Sequence, residues 1–278
     1  KSEKIKAVIE IAHYGEKPLL SINPIWEIKQ NDKIIAEGVL NKLDIPIGNG
    51  NIAGTIYYQP EKINKPRKLT LSVHLAGFNN TWDIWVYPET TNTMSNSVLV
   101  TDNINSSTIN HLHNGGKVLL SLGKGKVNKE MGGNVGVGFS SIFWNTFYTD
   151  NQKPHTLGIL CNPQHPALEF FPTEYHSNWQ WWDAMTHADA IQLSAFPANL
   201  RPIVRIIDDW VTNRPLALLF EVKVGKGSIL ISGTDLINNI SDRPEARQLR
   251  SSLLRYMESD KFKPEIRIEH EELKKIVL

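Results

Sequence analysis

The sequence predicts a multidomain chain of β plus α/β class: an antiparallel β-sandwich over residues 1–88, a linker at 89–97, an α/β domain over 98–260 and a charged strand or tail at 261–278. Three observations predict it. Short apolar runs recur about every ten residues up to Pro88 with no helix pattern between them, which is the spacing of a sandwich. Beyond the linker a short helical segment lies between two apolar runs, and such a crossover requires parallel strands. Near the end, residues 243–258 place Ala246, Leu249, Leu253, Leu254 and Met257 at helical spacing behind Pro244.

Taken in order, the clearest strand is Lys68-Leu69-Thr70-Leu71-Ser72-Val73-His74-Leu75, which alternates polar and apolar residues at period two. Shorter runs of the same kind occupy residues 5–12, 25–29, 34–36, 54–58 and 82–87. Turn chemistry separates them at Tyr14-Gly15, Gln30-Asn31-Asp32, Gly48-Asn49-Gly50 and Phe78-Asn79-Asn80. Residues 89–97 are polar and aperiodic, hence the linker. Strands follow at 98–101, 117–122 and 203–207, a short helix at 107–113 closed by Gly115-Gly116, and a hairpin of 216–224 with 228–232 turning at Gly225-Lys226-Gly227.

Composition narrows the functional classes. The 278 residues carry 30 basic and 29 acidic side chains without segregation, so no nucleic-acid partner is expected. The apolar runs fall far short of the roughly 20 residues of a membrane span. The chain begins at Lys1 without an apolar leader and reads as a mature or excised piece. One cysteine, Cys161, leaves the redox compartment open.

Several active-site patterns are missing. Gly123-Lys124-Gly125-Lys126 lacks the order of a phosphate loop. The Gly133-x-x-Gly136-x-Gly138 spacing reverses a dinucleotide fingerprint and reads as a mobile loop. His111 and His113 point to different faces of their helix, so no metal or cofactor is expected there. Asp208-Asp209 reads as a solvated strand end, since neighbours on a strand face opposite ways and do not jointly flank a glycosidic bond. Cys161, with His165, Glu174 and His176 downstream, is the candidate nucleophile of a cysteine hydrolase or amidase, against the plainer reading of a buried inert thiol.

The richest stretch is Phe170 through Asp183, where tryptophans alternate with polar residues. Indole faces stack on sugar C–H groups while planar polar groups bond hydroxyls, which makes Glu174, His176, Asn178, Trp179, Trp182 and Asp183 carbohydrate-contact candidates. In a helix Trp179 and Trp182 share a face and Trp181 points elsewhere. Trp82 and Trp85 fall on opposite faces of a strand. Trp82, Trp85 and Trp181 are therefore candidates for packing against a neighbouring domain.

The segments Ile11-Ala12-His13-Tyr14-Gly15, Trp82-Asp83-Ile84-Trp85-Val86-Tyr87-Pro88, His165-Pro166-Ala167-Leu168 onward to Trp182, and Arg243-Pro244-Glu245-Ala246-Arg247-Gln248-Leu249 together resemble the C-terminal region of glycoside hydrolase family 2 proteins, in particular β-galactosidase-like members from gut Bacteroidetes. The resemblance implies that the α/β part is like a class I glutamine amidotransferase, flavodoxin-like and three-layered. It implies N-terminal sugar-binding and catalytic domains of the same polypeptide as partners, oligosaccharide as a further partner, and a periplasmic or secreted location. A (β/α)8 barrel takes about 250 residues, more than remain after the sandwich, so the family's catalytic glutamates have no counterpart and no catalytic residue is assigned. Leu160-Cys161-Asn162 departs from the amidotransferase G-x-C-x-G elbow on both sides. The expectation is a non-catalytic accessory segment, inactive alone; the rivals are an autonomous carbohydrate-binding module and the Cys161 hydrolase.

Overall fold

The computed structural model describes residues 3–89, 91–139 and 155–278. It is mostly β, with several antiparallel sheets, one mixed sheet and a few helices. Backbone contacts divide the chain into two compact units, Lys1–Thr90 and Thr91–Leu278. Residue 90 of the expected linker lies outside the described residues.

The first unit contains β1 (Ile5–His13), β2 (Leu19–Ile22), β3 (Ile25–Gln30), β4 (Lys33–Val39), β5 (Leu43–Ile45), β6 (Gly48–Tyr58), β7 (Arg67–Leu75) and β8 (Phe78–Val86). A four-stranded antiparallel sheet, ordered β4-β3-β7-β8, and the antiparallel pair β1-β6 share one apolar core; β2 and β5 form a further small pair. Alternation on β7 turns Leu69, Leu71 and Val73 inward to meet Ile9, Ile28, Ala53 and Ile56. Burying each larger aliphatic side chain contributes about 1.5–3 kcal/mol.

Two turns explain the hairpins. Asn31 and Asp32, both at positive φ (47° and 63°), close β3 onto β4 as their residue types predict. The β7–β8 turn is instead Ala76-Gly77 (φ 49° and 86°). Phe78, Asn79 and Asn80, expected as a turn, therefore belong to β8, where Phe78 pairs with Leu75. Gly48-Asn49-Gly50 is likewise strand: Gly48 lies opposite His13 beside a register irregularity that the glycines accommodate. On β8, Trp82 shares the face of Ile84 and Val86 yet is 42% exposed, while Trp85 is half-buried on the opposite face.

The second unit contains β9 (Val98–Thr101), α1 (Ser106–His113), β10 (Lys117–Ser121), β11 (Ile159–Cys161), α2 (Trp182–Thr186), β12 (Ile191–Gln192), β13 (Val204–Ile206), β14 (Leu216–Val224), β15 (Gly227–Ser232), α3 (Pro244–Glu258) and α4 (His270–Ile276). Among the described residues, one seven-stranded sheet runs β11-β13-β14-β15-β10-β9, with β12 also on β14. Only β9, β10 and β15 are mutually parallel; β14, β13, β11 and β12 are antiparallel to their neighbours, so the sheet is mixed. Helix α1 connects the parallel β9 and β10, with Asn105 Oδ1 accepting from the Thr108 amide at 2.9 Å as its cap. Together with α4 it covers the face carrying Val118, Leu120, Phe220, Val222, Ile229 and Ile231. Helix α3 meets the other face, where Tyr256 bonds Glu221 and the Met257 carbonyl accepts from Lys117 Nζ.

Residues 91–97, expected as linker, belong to this unit: Ser95 Oγ donates to Glu258 at 2.6 Å and accepts from the Ser97 and Val98 amides. The expected charged strand or tail over residues 261–278 is also corrected. It contains α4, whose capping box joins Glu269 and Glu272 and whose Leu273 and Ile276 are fully buried. Two apolar residues three apart suffice to dock a short helix, and the charges around them hid that spacing. The Met131–Gly138 segment is not the mobile loop its glycines suggest. A Cβ on Gly132 would stand 2.5 Å from the Ala190 carbonyl oxygen and one on Gly133 2.0 Å from that of Val127, so the glycines permit close backbone packing.

Candidate functional site

The aromatic segment folds as short helical turns. Asn178 Oδ1 accepts from the Trp179 amide at 2.8 Å and opens a 3-10 turn at Trp179–Trp181, which continues into α2. This winding separates the tryptophans as their spacing requires. Trp181 is fully buried, its Nε1 donating to Thr173 Oγ1 at 2.6 Å and its ring meeting Phe171 edge-on at 5.1 Å. It is thus core of its own unit and has no surface to offer a neighbouring domain, contrary to its candidacy. Trp179 and Trp182 remain 67% and 49% exposed, with ring centroids 5.9 Å apart.

A third ring completes the face. Phe139 stacks on Trp179 at 5.5 Å and meets Trp182 edge-on at 5.3 Å. It is held there by its carbonyl, which accepts from Ser177 Oγ at 2.7 Å. Sequence reading missed Phe139; the available signal was a bulky aromatic directly after Gly138. Tyr175 and His176 are exposed beside one another at 4.8 Å, and Glu174 is half-buried with its carbonyl accepting from the Cys161 thiol.

Asp183 does not face the rings as a free carboxylate. Arg243 Nε and Nη2 grip it at 2.9 and 2.8 Å, and His187 Nδ1 stands 3.4 Å away. It ties α2 to the start of α3. Asp183 therefore serves packing and drops out of the carbohydrate-contact set.

Cys161 sits in β11 at 7% exposure, and its thiol donates to the Glu174 carbonyl at 3.3 Å. Burial pushes the thiol up to about 11, away from thiolate chemistry. The nitrogen of His165 that a base would use is engaged elsewhere, since Nδ1 accepts from the Ala167 amide at 3.2 Å. Asp208 and Asp209 are buried rather than solvated: Arg214 Nε and Nη2 bond Asp208 at 2.8 and 2.9 Å, and Asp209 Oδ1 accepts from the Val211 and Thr212 amides. Burial raises the Asp208 carboxyl, but the Arg214 bonds outweigh it and hold the group below its ordinary value.

The lysine- and glycine-rich loop after β10 has its amides occupied. Those of Gly125, Lys126 and Val127 converge on Asp189 Oδ2 at 2.7, 3.1 and 3.2 Å. His111 and His113 are exposed, His113 lying edge-on to His270 at 5.2 Å. Among the described residues no group of three or more His, Cys, Asp or Glu side chains is placed to hold a metal, and no helix is long and apolar enough to cross a membrane.

These features define a chain of two β-rich units, an antiparallel two-layer unit followed by a mixed α/β unit that carries an exposed aromatic face. The chain belongs to the family described as Domain of unknown function (DUF8487), which matches residues 99–278; Domain of unknown function (DUF8488) matches residues 3–88. No curated protein matches the chain. Among solved structures it has weak similarity to the beta-glucuronidase of Parabacteroides merdae: 8% identity and a TM-score of 0.19 over 41% of this chain and 20% of that one. The same enzyme with glycerol in its active site gives 8% identity and a TM-score of 0.19 over 42% and 21%. The chain thus spans about a fifth of the length of those enzymes.

Proposed function

We propose that this chain is a non-catalytic accessory segment of a glycoside hydrolase family 2 type protein, and that the face formed by Phe139, Trp179 and Trp182 contacts glycan for the catalytic domains. The exposed ring cluster carries the reading. Water-exposed indole planes are costly unless something covers them, and a pyranose C–H face suits them. Asn178 is fixed by its own turn and His176 is exposed two residues earlier, so polar partners for hydroxyls are close in sequence. The family likeness of the sequence supports the glycosidase context and, with it, a periplasmic or secreted location.

The parallel trio β9, β10 and β15, with α1 and α4 on one face and α3 on the other, supports the amidotransferase-like reading of the second unit; the antiparallel β14, β13 and β11 depart from it. The buried, upshifted Cys161 thiol disfavours the cysteine-hydrolase alternative. Calorimetric titration of the chain with neutral plant and host oligosaccharides tests the proposal. Heat with at least one glycan, abolished by Trp179→Ala and Trp182→Ala, is the expected result; no heat with any glycan, or heat that both variants retain, overturns it.

A further inference from the structure

A concave site lies at the edge of the mixed sheet, on residues that play no part in the aromatic face. A cleft of about 460 Å³ is lined by Cys161, His165, Arg201, Arg205 and Glu221, within the size range of small-ligand sites. Leu160, Pro202 and Ile203 supply apolar lining, and the polar groups among them are fixed. Both carboxylate oxygens of Glu221 accept from the Tyr256 hydroxyl, and Tyr256 packs edge-on against His165 at 5.5 Å. With its Nδ1 bound to the Ala167 amide, His165 has no hydrogen-bond partner for Nε2 among the described residues.

The rim is cationic. Arg201 is steadied by Nη1 donating to the Ala198 and Leu200 carbonyls at 2.8 and 3.2 Å, which leaves Nε and Nη2 without partners among the described residues. Arg205 is exposed on β13, and none of its guanidinium donors has a partner among the described residues. Two guanidinium groups with donors to spare favour a planar anion, and their forked geometry matches a carboxylate. The same cleft is lined by the Glu221 carboxylate and the His165 imidazole, which suit hydroxyl groups.

We propose that this cleft binds a small hydroxylated carboxylate of the uronic acid type, its carboxylate at Arg201 and Arg205 and its hydroxyls at Glu221 and His165. A fully anionic ligand such as phosphate would bring charge against Glu221 without using the acceptors. A neutral sugar would leave the arginines unused.

The test is ligand-observed NMR or calorimetry on the chain with D-galacturonate and D-glucuronate, beside the methyl ester of each and acetate. Expected is binding of at least one uronate, weakened about tenfold or more by esterification and by Arg205→Ala. Arg205 is exposed, so this variant keeps its fold, which circular dichroism checks. Trp179→Ala with Trp182→Ala should leave uronate binding unchanged, which separates this site from the aromatic face. Equal affinity for acid and ester, equal affinity for acetate, insensitivity to Arg205→Ala, or absence of uronate binding would each overturn the assignment.

Discussion

The Tyr256 hydroxyl donates to both carboxylate oxygens of Glu221, at 3.1 and 2.9 Å, bridging α3 to the face of β14 beneath it. Burial raises the Glu221 carboxyl to about 7 against this hydrogen bond, and the Tyr256 phenol is pushed up by burial and by Glu221 itself. Because the folded chain holds this proton more tightly than the unfolded one, the group's contribution is fully present below about 4.5 and is lost as pH rises towards 7. The change is on the order of 3 kcal/mol. His165, lowered by burial, acts in the opposite sense, and the Cys161 thiol, pushed up to about 11, stays protonated across this window. Urea denaturation should therefore show Glu221→Gln gaining on the parent chain between about pH 5 and about pH 8. A constant difference across that range would refute the assignment.

The Cys161 thiol should resist iodoacetamide at neutral pH in the native chain and react on unfolding, since burial holds it near 11. Stoichiometric labelling of folded protein, read by mass spectrometry, would contradict this.

Arg243→Ala leaves the Asp183 carboxylate without the guanidinium that grips it through Nε and Nη2. A loss of about 3 kcal/mol in chemical denaturation is expected, because removing one partner strands a mostly buried charge. The paired change Arg243→Met with Asp183→Leu should recover part of that loss; a double variant as weak as Arg243→Ala would show that the pair is not the cause.

Trp181 and Trp179 should behave oppositely. Trp181→Ala empties a fully buried ring site and loses the bond to Thr173, costing about 3–5 kcal/mol. Trp179→Ala alters stability by only about 0.5 kcal/mol. Comparable denaturation midpoints for the two variants would undermine the division between core and exposed face.

Much of the fold was legible where one period dominates. Leu69-x-Leu71-x-Val73 gave β7 within a residue, and Ala246, Leu249, Leu253 and Met257 gave α3, because a single buried face imposes its spacing on the chain. Reading failed where tertiary contacts outvote local chemistry. Gly48, Asn49 and Gly50 look like a turn but belong to β6, with Gly48 opposite His13 of β1, and the Met131–Gly138 glycines look loose but admit neighbouring carbonyls. At the aromatic face, helical spacing placed Trp179 and Trp182 together, whereas Phe139 lies forty positions earlier and meets them only through the fold. Glu221, Tyr256 and the Arg201–Arg205 stretch sit on three separate segments with no shared motif, so nothing local announces their meeting.

Asp189 gives the loop of Gly125, Lys126 and Val127 a resident anion: its carboxylate fills the seat that three converging amides would otherwise offer to phosphate. The same residue's amide bonds the Gly233 carbonyl, and the loop it pins receives the far end of the chain, with Val127 bridged to Val277 and the Leu278 amide on the Lys126 carbonyl. One carboxylate in mid-sequence is thus the clasp on which three distant stretches close, and opening it would expose a vacant anion hole and loosen the C-terminal residues in a single event.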